Sequence, residues 1–526
     1  MSPPIEWAAW EPEEWVRARG ASECVESAHF AVRWGAGPGS EAAKKTAEAA
    51  CVWLEQCWAH LCHDSSPDFF VLPYSSGGWC ADGRSPRRKM NVYIGKNLAP
   101  HPGTGWAHQG THVERGVDAV RHTLANPEGR LHHSYLALAQ GAAKSERTVC
   151  HEFAHCLQMH TGGHIDSKLV GYQWEAHAEY CVHLLRPTDP QWAPHVKAFL
   201  ETAHLPIDCT NAHDDGTAGR QYVVWPFYCF LDSRFGRGFV HRLWHADRQQ
   251  RQEHGRGSRD LLSNLASGYA RDETETGSDG PETAAAFLSR LFAEFALSSL
   301  TLKWGWAAEQ NAALRKAASF LLPTRLTRLR PGRIVPGGGA WRPDSLRPLK
   351  RFGSHTFRLE PSAGARRLRV RAVPATGTSA FEFYVSVVCC EVDTGREILV
   401  SGPVQGTSGE DDGGEGRATD AWVAVDVLSR RDVAYLVAVS AGSQCFVPCE
   451  WGTKPSDLKT SAYMLLLEGC EPHRDCAMPR VAHAPAALTL RAPEQGALAV
   501  PTGLANLRYI YIYIYRYIYI YIYIDS

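Results

Sequence analysis

His151, Glu152 and His155 stand as His-Glu-x-x-His inside the stretch Thr148–Gly163, "TVCHEFAHCLQMHTGG". Positions i and i+4 of a helix share one face, so both imidazoles can reach a single zinc ion. Glu152 lies about 100° round such a helix from His151. From there it meets a water on the ion more easily than the ion itself. Phe153 and Ala154 can turn to a core, and Gly162 and Gly163 end the helix. A motif this short also arises by chance, so the third ligand decides.

A third histidine in the pattern His-Glu-x-x-His-x-x-Gly-x-x-His is absent: Gln158 and Thr161 occupy those positions. His160, at i+5 from His155, points elsewhere and reads as a surface or capping histidine. The other arrangement takes a glutamate from a second helix about twenty residues on. "YQWEAHAEYCVHLL" supplies it, with Glu175 placed 20 residues after His155. Glu179 is one turn further on the same face. A carboxylate there can accept the Nδ1–H of a ligand histidine and fix its tautomer. The predicted centre is therefore one Zn2+ per chain on His151, His155 and Glu175, with Glu179 as supporting acid. Without the first helix, two glutamates at i and i+4 would mean only a solvated face.

At these residues the chain resembles the gluzincin metallopeptidases. Glu175-Ala176-His177-Ala178-Glu179-Tyr180 is similar to their third-ligand segment, E-(G/A)-x-A-x-aromatic. More closely, the chain resembles an uncharacterised metallopeptidase-like family. The likeness is carried by Ser27–Gly35, Lys89–Ile94, His151–Gln158 and Trp174–Glu179, and by "YVVWPFYCFLDSRFG" and "FGSHTFRLE". It covers roughly residues 25–450. It departs at Ala176, where glycine is commoner, and in the C-terminal tail. The resemblance implies a zincin fold and hydrolase chemistry, and names no substrate.

The implied reaction is peptide-bond hydrolysis. Three protein ligands leave one zinc position for water, whose pKa falls to roughly 7. Glu152 is then the general base, and passes the proton to the leaving amine. The developing oxyanion needs a further donor. Tyr222 in "GRQYVVWPFY" is the candidate, with His213 and His241 behind it; its other reading is a core or groove tyrosine. His177 either lines the cleft or sits on the helix surface. Cys150 and Cys156 flank the ligands as small packing residues.

These residues need elements to hold them. "HFAVRWG" (His29–Gly35) and "KMNVYIG" (Lys89–Gly95) read as strands. "EAAKKTAEAACVWLEQCWAHLC" has helical apolar spacing, and 96–146 reads as long loops. Helices are predicted over Gln173–Leu185, "WPFYCFLDSRFG" and "AAAFLSRLFAEFALSSL". The expected class is α+β, a zincin-like metallopeptidase domain followed by an all-β sandwich. Its divisions are a loose lead at 1–20, the zincin-like domain at 21–321, a Pro/Gly/Arg-rich linker at 322–340, the sandwich at 341–470 and a disordered tail at 471–526. The sandwich rests on short alternating segments between turns, from "SHTFRLE" to "SAYMLLLEG". "GTSGEDDGGEGRATD" reads as a solvated acidic loop. Tyr509–Ile524 repeats Tyr–Ile as a translated TA repeat would, and is aggregation-prone if made.

The chain has 526 residues, 44% hydrophobic, with 17 Trp, enough for a sizeable core. A formal net charge of -1 steers it toward neither nucleic acid nor acidic membrane. No apolar run reaches spanning length. The 16 cysteines are scattered and include no CxxC pair, which argues against a cysteine zinc knuckle. No signal peptide is visible, so the cytoplasm is the default compartment; an incomplete N-terminus would allow secretion. Expected partners are a peptide or protein substrate and a glycan or protein ligand of the β-domain. Two other readings stay open. One is an inactive zincin-like binding protein, against which the intact Glu152 argues. The other is a closed structural zinc site, for which His160 or His164 would supply the fourth ligand.

Overall fold

The computed structural model describes residues 8–9, 22–36, 39–62, 88–95, 105–112, 131–160, 167–211, 219–241, 243–244, 262–265, 283–305, 326–328, 339–343, 347–375, 382–392, 396–406, 422–430, 432–443, 449–450 and 452–473. The Tyr–Ile tail, the acidic loop and most of the 1–20 lead lie outside them. The protein is mixed α+β. No helix among the described residues is long and apolar enough to cross a membrane.

The first half is built on a six-stranded mixed sheet. Its strands are β1 (Ala8–Ala9), β2 (Glu23–Glu26), β3 (Phe30–Trp34), β4 (Arg88–Ile94), β5 (Gly105–His112) and β6 (Leu131–Leu138). They run in the order β2-β3-β4-β6-β5, with β1 also on β4. β3, β4 and β6 are parallel, while β5 closes one edge antiparallel to β6. β5 and β6 lie in the stretch read as loops, which is a correction. "GWAHQGTH" and "LHHSYLAL" are rich in Gly and His, and their pairing with each other supplies what strand propensity does not. Phe30, Val32, Trp34, Met90, Val92, Ile94, Leu136 and Leu138 are buried in one core at every second position, as a sheet face requires.

That core is completed by α1 (Ser40–Leu61), α2 (Glu146–His160), α3 (Ser167–Leu185), α4 (Trp192–Glu201), α5 (Pro226–Phe235) and α6 (Ala284–Leu300). α1 lies on β3, and α2 lies against α1, β5, β6 and α3. Phe153 of α2 meets Phe30 edge-on at 5.3 Å and tilts over Trp58 of α1 at 6.3 Å. The helix bearing the His-Glu-x-x-His motif is thus clamped between sheet and helices.

The second half holds two five-stranded antiparallel sheets. One is ordered β13-β10-β15-β8-β7, from Val423–Asp426, Arg367–Pro374, Tyr463–Glu468, Gly339–Pro343 and Leu326–Arg328. The other is ordered β12-β11-β14-β9-β16, from Glu397–Gly406, Phe383–Glu391, Val433–Ala441, Ser354–Pro361 and Cys470–Pro472. β7 falls inside the stretch read as a linker, and β16 runs two residues past 470. The two sheets share one apolar core that includes Val370, Leu465, Phe357, Val385 and Val437. β11 and β14 are buried on both faces, because Val388, Cys390, Leu436 and Ala438 turn outward onto Ala296 and Leu300 of α6.

α6 therefore packs on both halves. Its other stripe, with Phe292 and Phe295, joins the first core, where Phe292 stacks on Phe352 at 4.9 Å. Gly353 lets the chain run against the end of α4: a Cβ there would lie 2.3 Å from the His204 carbonyl oxygen. Beside it, Asp208 is buried and accepts from Arg351 Nη2 at 3.1 Å and from the Cys449 backbone N–H at 2.8 Å.

Candidate metal centre

α2 and α3 bring His151, His155 and Glu175 together. His151 Nε2 lies 3.0 Å from Glu175 Oε2 and 3.1 Å from His155 Nε2. His155 Nε2 lies 3.4 Å from the same Glu175 oxygen. A tetrahedral zinc ion with ligands at about 2.0–2.1 Å spaces its ligand atoms about 3.3 Å apart. The three atoms thus form a triangle the size of one face of that tetrahedron. Two imidazole nitrogens and a carboxylate oxygen turned to one point also make a donor set that zinc favours.

Around the triangle the charges are paired. Glu179 Oε1 lies 3.2 Å from His151 Nδ1, and its other oxygen takes Arg147 Nη2. Arg147 also lies over the Trp192 ring at 4.6 Å and reaches His195 Nε2 at 3.2 Å. His195 in turn donates from Nδ1 to the Tyr222 carbonyl at 3.2 Å. Burial opposes charge on His151, but Glu175 and Glu179 outweigh it and push the imidazole up to about 10. Burial would raise Glu175, yet His155 and His151 hold it well below the usual carboxylate range. Glu179 is held down against burial by His151 and Arg147. His195 is lowered by burial, in keeping with a neutral ring that accepts from Arg147 and donates to Tyr222.

Glu152 follows His151 on α2 and is half-buried. Tyr222 closes a short turn, Arg220–Tyr222, and its ring centroid is 6.1 Å from that of His151. His241 is buried, with its ring 6.0 Å from that of His177. His213 and His164 lie outside the described residues, as does the side chain of His160, the last residue of α2. Cys150 and Cys156 are buried in the core.

His177 is not on the helix surface, which corrects that reading. It is fully buried and meets Trp244 at 5.1 Å and Tyr228 at 5.3 Å. The reason is that both sides of α3 are covered, by α2 and by the Tyr228–Trp244 segment. Sequence reasoning also missed Gln158. Its Oε1 lies 2.7 Å from His155 Nδ1, and its Nε2 lies 3.0 Å from the Trp174 carbonyl oxygen and 3.1 Å from His177 Nδ1. A polar residue one helical position after Leu157, on the core side of an otherwise apolar stripe, is the signal that would have found it.

Residues 9–255 match a family of unknown function, DUF6055. No curated protein and no solved structure matches the chain. His151, Glu152, His155, Glu175, Glu179 and Tyr222 all fall inside the matched residues, and α6 and the two five-stranded sheets fall outside them.

Proposed function

We propose that this chain is a zinc-dependent peptidase of the gluzincin kind, with a zincin-like domain followed by a β-sandwich. The observation that carries the reading is the triangle of His151 Nε2, His155 Nε2 and Glu175 Oε2, with edges of 3.0, 3.1 and 3.4 Å. His151, His155 and Glu175 would hold the ion. Zinc bound there supplies Lewis acidity and lowers the pKa of water to about 7.

The chain's own residues do the rest. Glu152 takes the proton of the attacking water on its carboxylate and delivers it to the leaving nitrogen. Tyr222, beside His151, donates to the developing oxyanion. Glu179, backed by Arg147, holds the His151 ring by its Nδ1. β5 is the edge of its sheet and packs against α2, so an extended peptide laid along it would gain backbone hydrogen bonds next to the ligands. The two five-stranded sheets would then position a protein substrate or bind a glycan or protein.

The test is zinc content read beside hydrolysis. Purified full-length protein should carry about one zinc, and His155→Ala should lose it. Glu152→Gln should keep the zinc and lose turnover. Zinc retained by His155→Ala removes this ligand set. Turnover retained by Glu152→Gln removes the assigned base and leaves the site open to another reading.

A further inference from the structure

Gln158 is fully buried on α2, one turn after His155. Its side-chain amide has only one sensible orientation. The Trp174 carbonyl, 3.0 Å away, can only accept, so the amide nitrogen must face it. Turned over, two oxygens would confront each other inside the core, an uncompensated burial of two acceptors. With the nitrogen so fixed, Gln158 Oε1 faces His155 Nδ1 at 2.7 Å, and an amide oxygen can only accept. His155 must then carry its proton on Nδ1. Its Nε2, the atom that meets His151 and Glu175, is then the nitrogen that carries the lone pair of the neutral ring.

The second amide hydrogen is accounted for as well. Gln158 Nε2 lies 3.1 Å from His177 Nδ1, which also lies 3.8 Å from Cys181 Sγ. An amide nitrogen can only donate, so His177 Nδ1 is the acceptor of that bond. One donor–acceptor order therefore runs from Gln158 to His177 and Trp174, and from His155 to Gln158. Trp174 is the residue before Glu175. The same amide thus orients the second predicted ligand and ties down the backbone beside the third.

We infer that Gln158 is the positioning residue of this centre: its amide sets the His155 tautomer with Nε2 as lone-pair donor and pins α3 at Trp174. The inference rests on the zinc reading for its purpose, but the tautomer exists without metal. The test uses the full chain with 15N-labelled histidine, and reads which ring nitrogen of His155 bears the proton by long-range 1H–15N correlation. In the zinc-free wild type the proton should be on Nδ1. In Gln158→Leu that preference should disappear, and zinc affinity, measured by competition with a chelator, should fall about 10–100-fold. Gln158→Glu, which keeps an acceptor but cannot donate to Trp174, should fall in the same range.

A His155 ring with its proton on Nε2 and none on Nδ1 in the zinc-free wild type overturns the inference without any variant. Wild-type zinc affinity in a folded Gln158→Leu overturns it too. If the wild type shows the Nδ1 proton but binds no zinc, the metal reading has failed and the Gln158 assignment stands.

Discussion

Glu179 Oε1 lies 3.2 Å from Nδ1 of His151, on the far side of the ring from the nitrogen that meets Glu175. One histidine therefore faces two carboxylates from consecutive turns of α3, one at each ring nitrogen. Glu175 meets Nε2 at the point where the three ligand atoms converge. Glu179 meets Nδ1 and is itself tied to Arg147.

The two glutamates should separate in mutation. Losing the partner of a ligand histidine typically costs about 10–100-fold in metal affinity or activity. Glu179→Ala should fall in that range by chelator competition, and Glu175→Ala should lose more. The reverse order would mean that ligand and support are exchanged.

Zinc uptake should release a proton. With His151 pushed up to about 10, the ring is protonated in the metal-free protein at neutral pH and must shed that proton to bind. Affinity should rise with pH until about 10. Calorimetry at pH 7 in buffers of different ionisation enthalpy should find about one proton released per zinc. No dependence on buffer would show that His151 is already neutral.

Acid should destabilise the fold before most carboxylates titrate. Burial lowers His183 to about 3 and His355 to about 4. The native rings stay neutral while the unfolded chain protonates near 6.5. The unfolded state then binds more protons, so stability rises with pH across this interval and falls as pH drops from about 6.5 to 4. Each ring contributes about 1.4 kcal/mol per pH unit. Denaturant midpoints over this interval should show the slope, and His183→Asn with His355→Asn should lessen it, leaving the share of His195 and His204, which burial also lowers.

The junction of the two halves should depend on Asp208. Removing it leaves Arg351 and the Cys449 N–H without this carboxylate inside the protein. Breaking one side of a buried pair costs about 3–5 kcal/mol, and Asp208→Ala should lower the urea midpoint accordingly. Arg351→Met in the same chain should restore part of it. A shift no larger than a surface substitution's would show that the pair is hydrated in solution.

Much of the candidate site is legible in the sequence because helical spacing is short-range. His151 and His155 at i and i+4, and Glu175 and Glu179 at i and i+4, need only two helices side by side. Gln158 was hidden because the two partners that fix its amide orientation, Trp174 O and His177 Nδ1, come from the other helix. "FYVSVVCC" was read among alternating strands, yet it is an unbroken buried run. That pattern marks a strand covered on both faces, here by the facing sheet and by α6. α4 escaped because Pro190 and Pro194 bracket its start. Pro194 stands in the first turn, where a missing N–H is harmless.

The most direct measurement is a digest of a defined peptide library by zinc-loaded full-length protein beside Glu152→Gln. The wild type should cleave, lose activity on chelation and recover it on adding zinc, and Glu152→Gln should not cleave although it holds zinc. A zinc-loaded wild type that leaves the library and denatured protein substrates intact would contradict the peptidase reading. Cleavage by Glu152→Gln at the wild-type rate would contradict it equally.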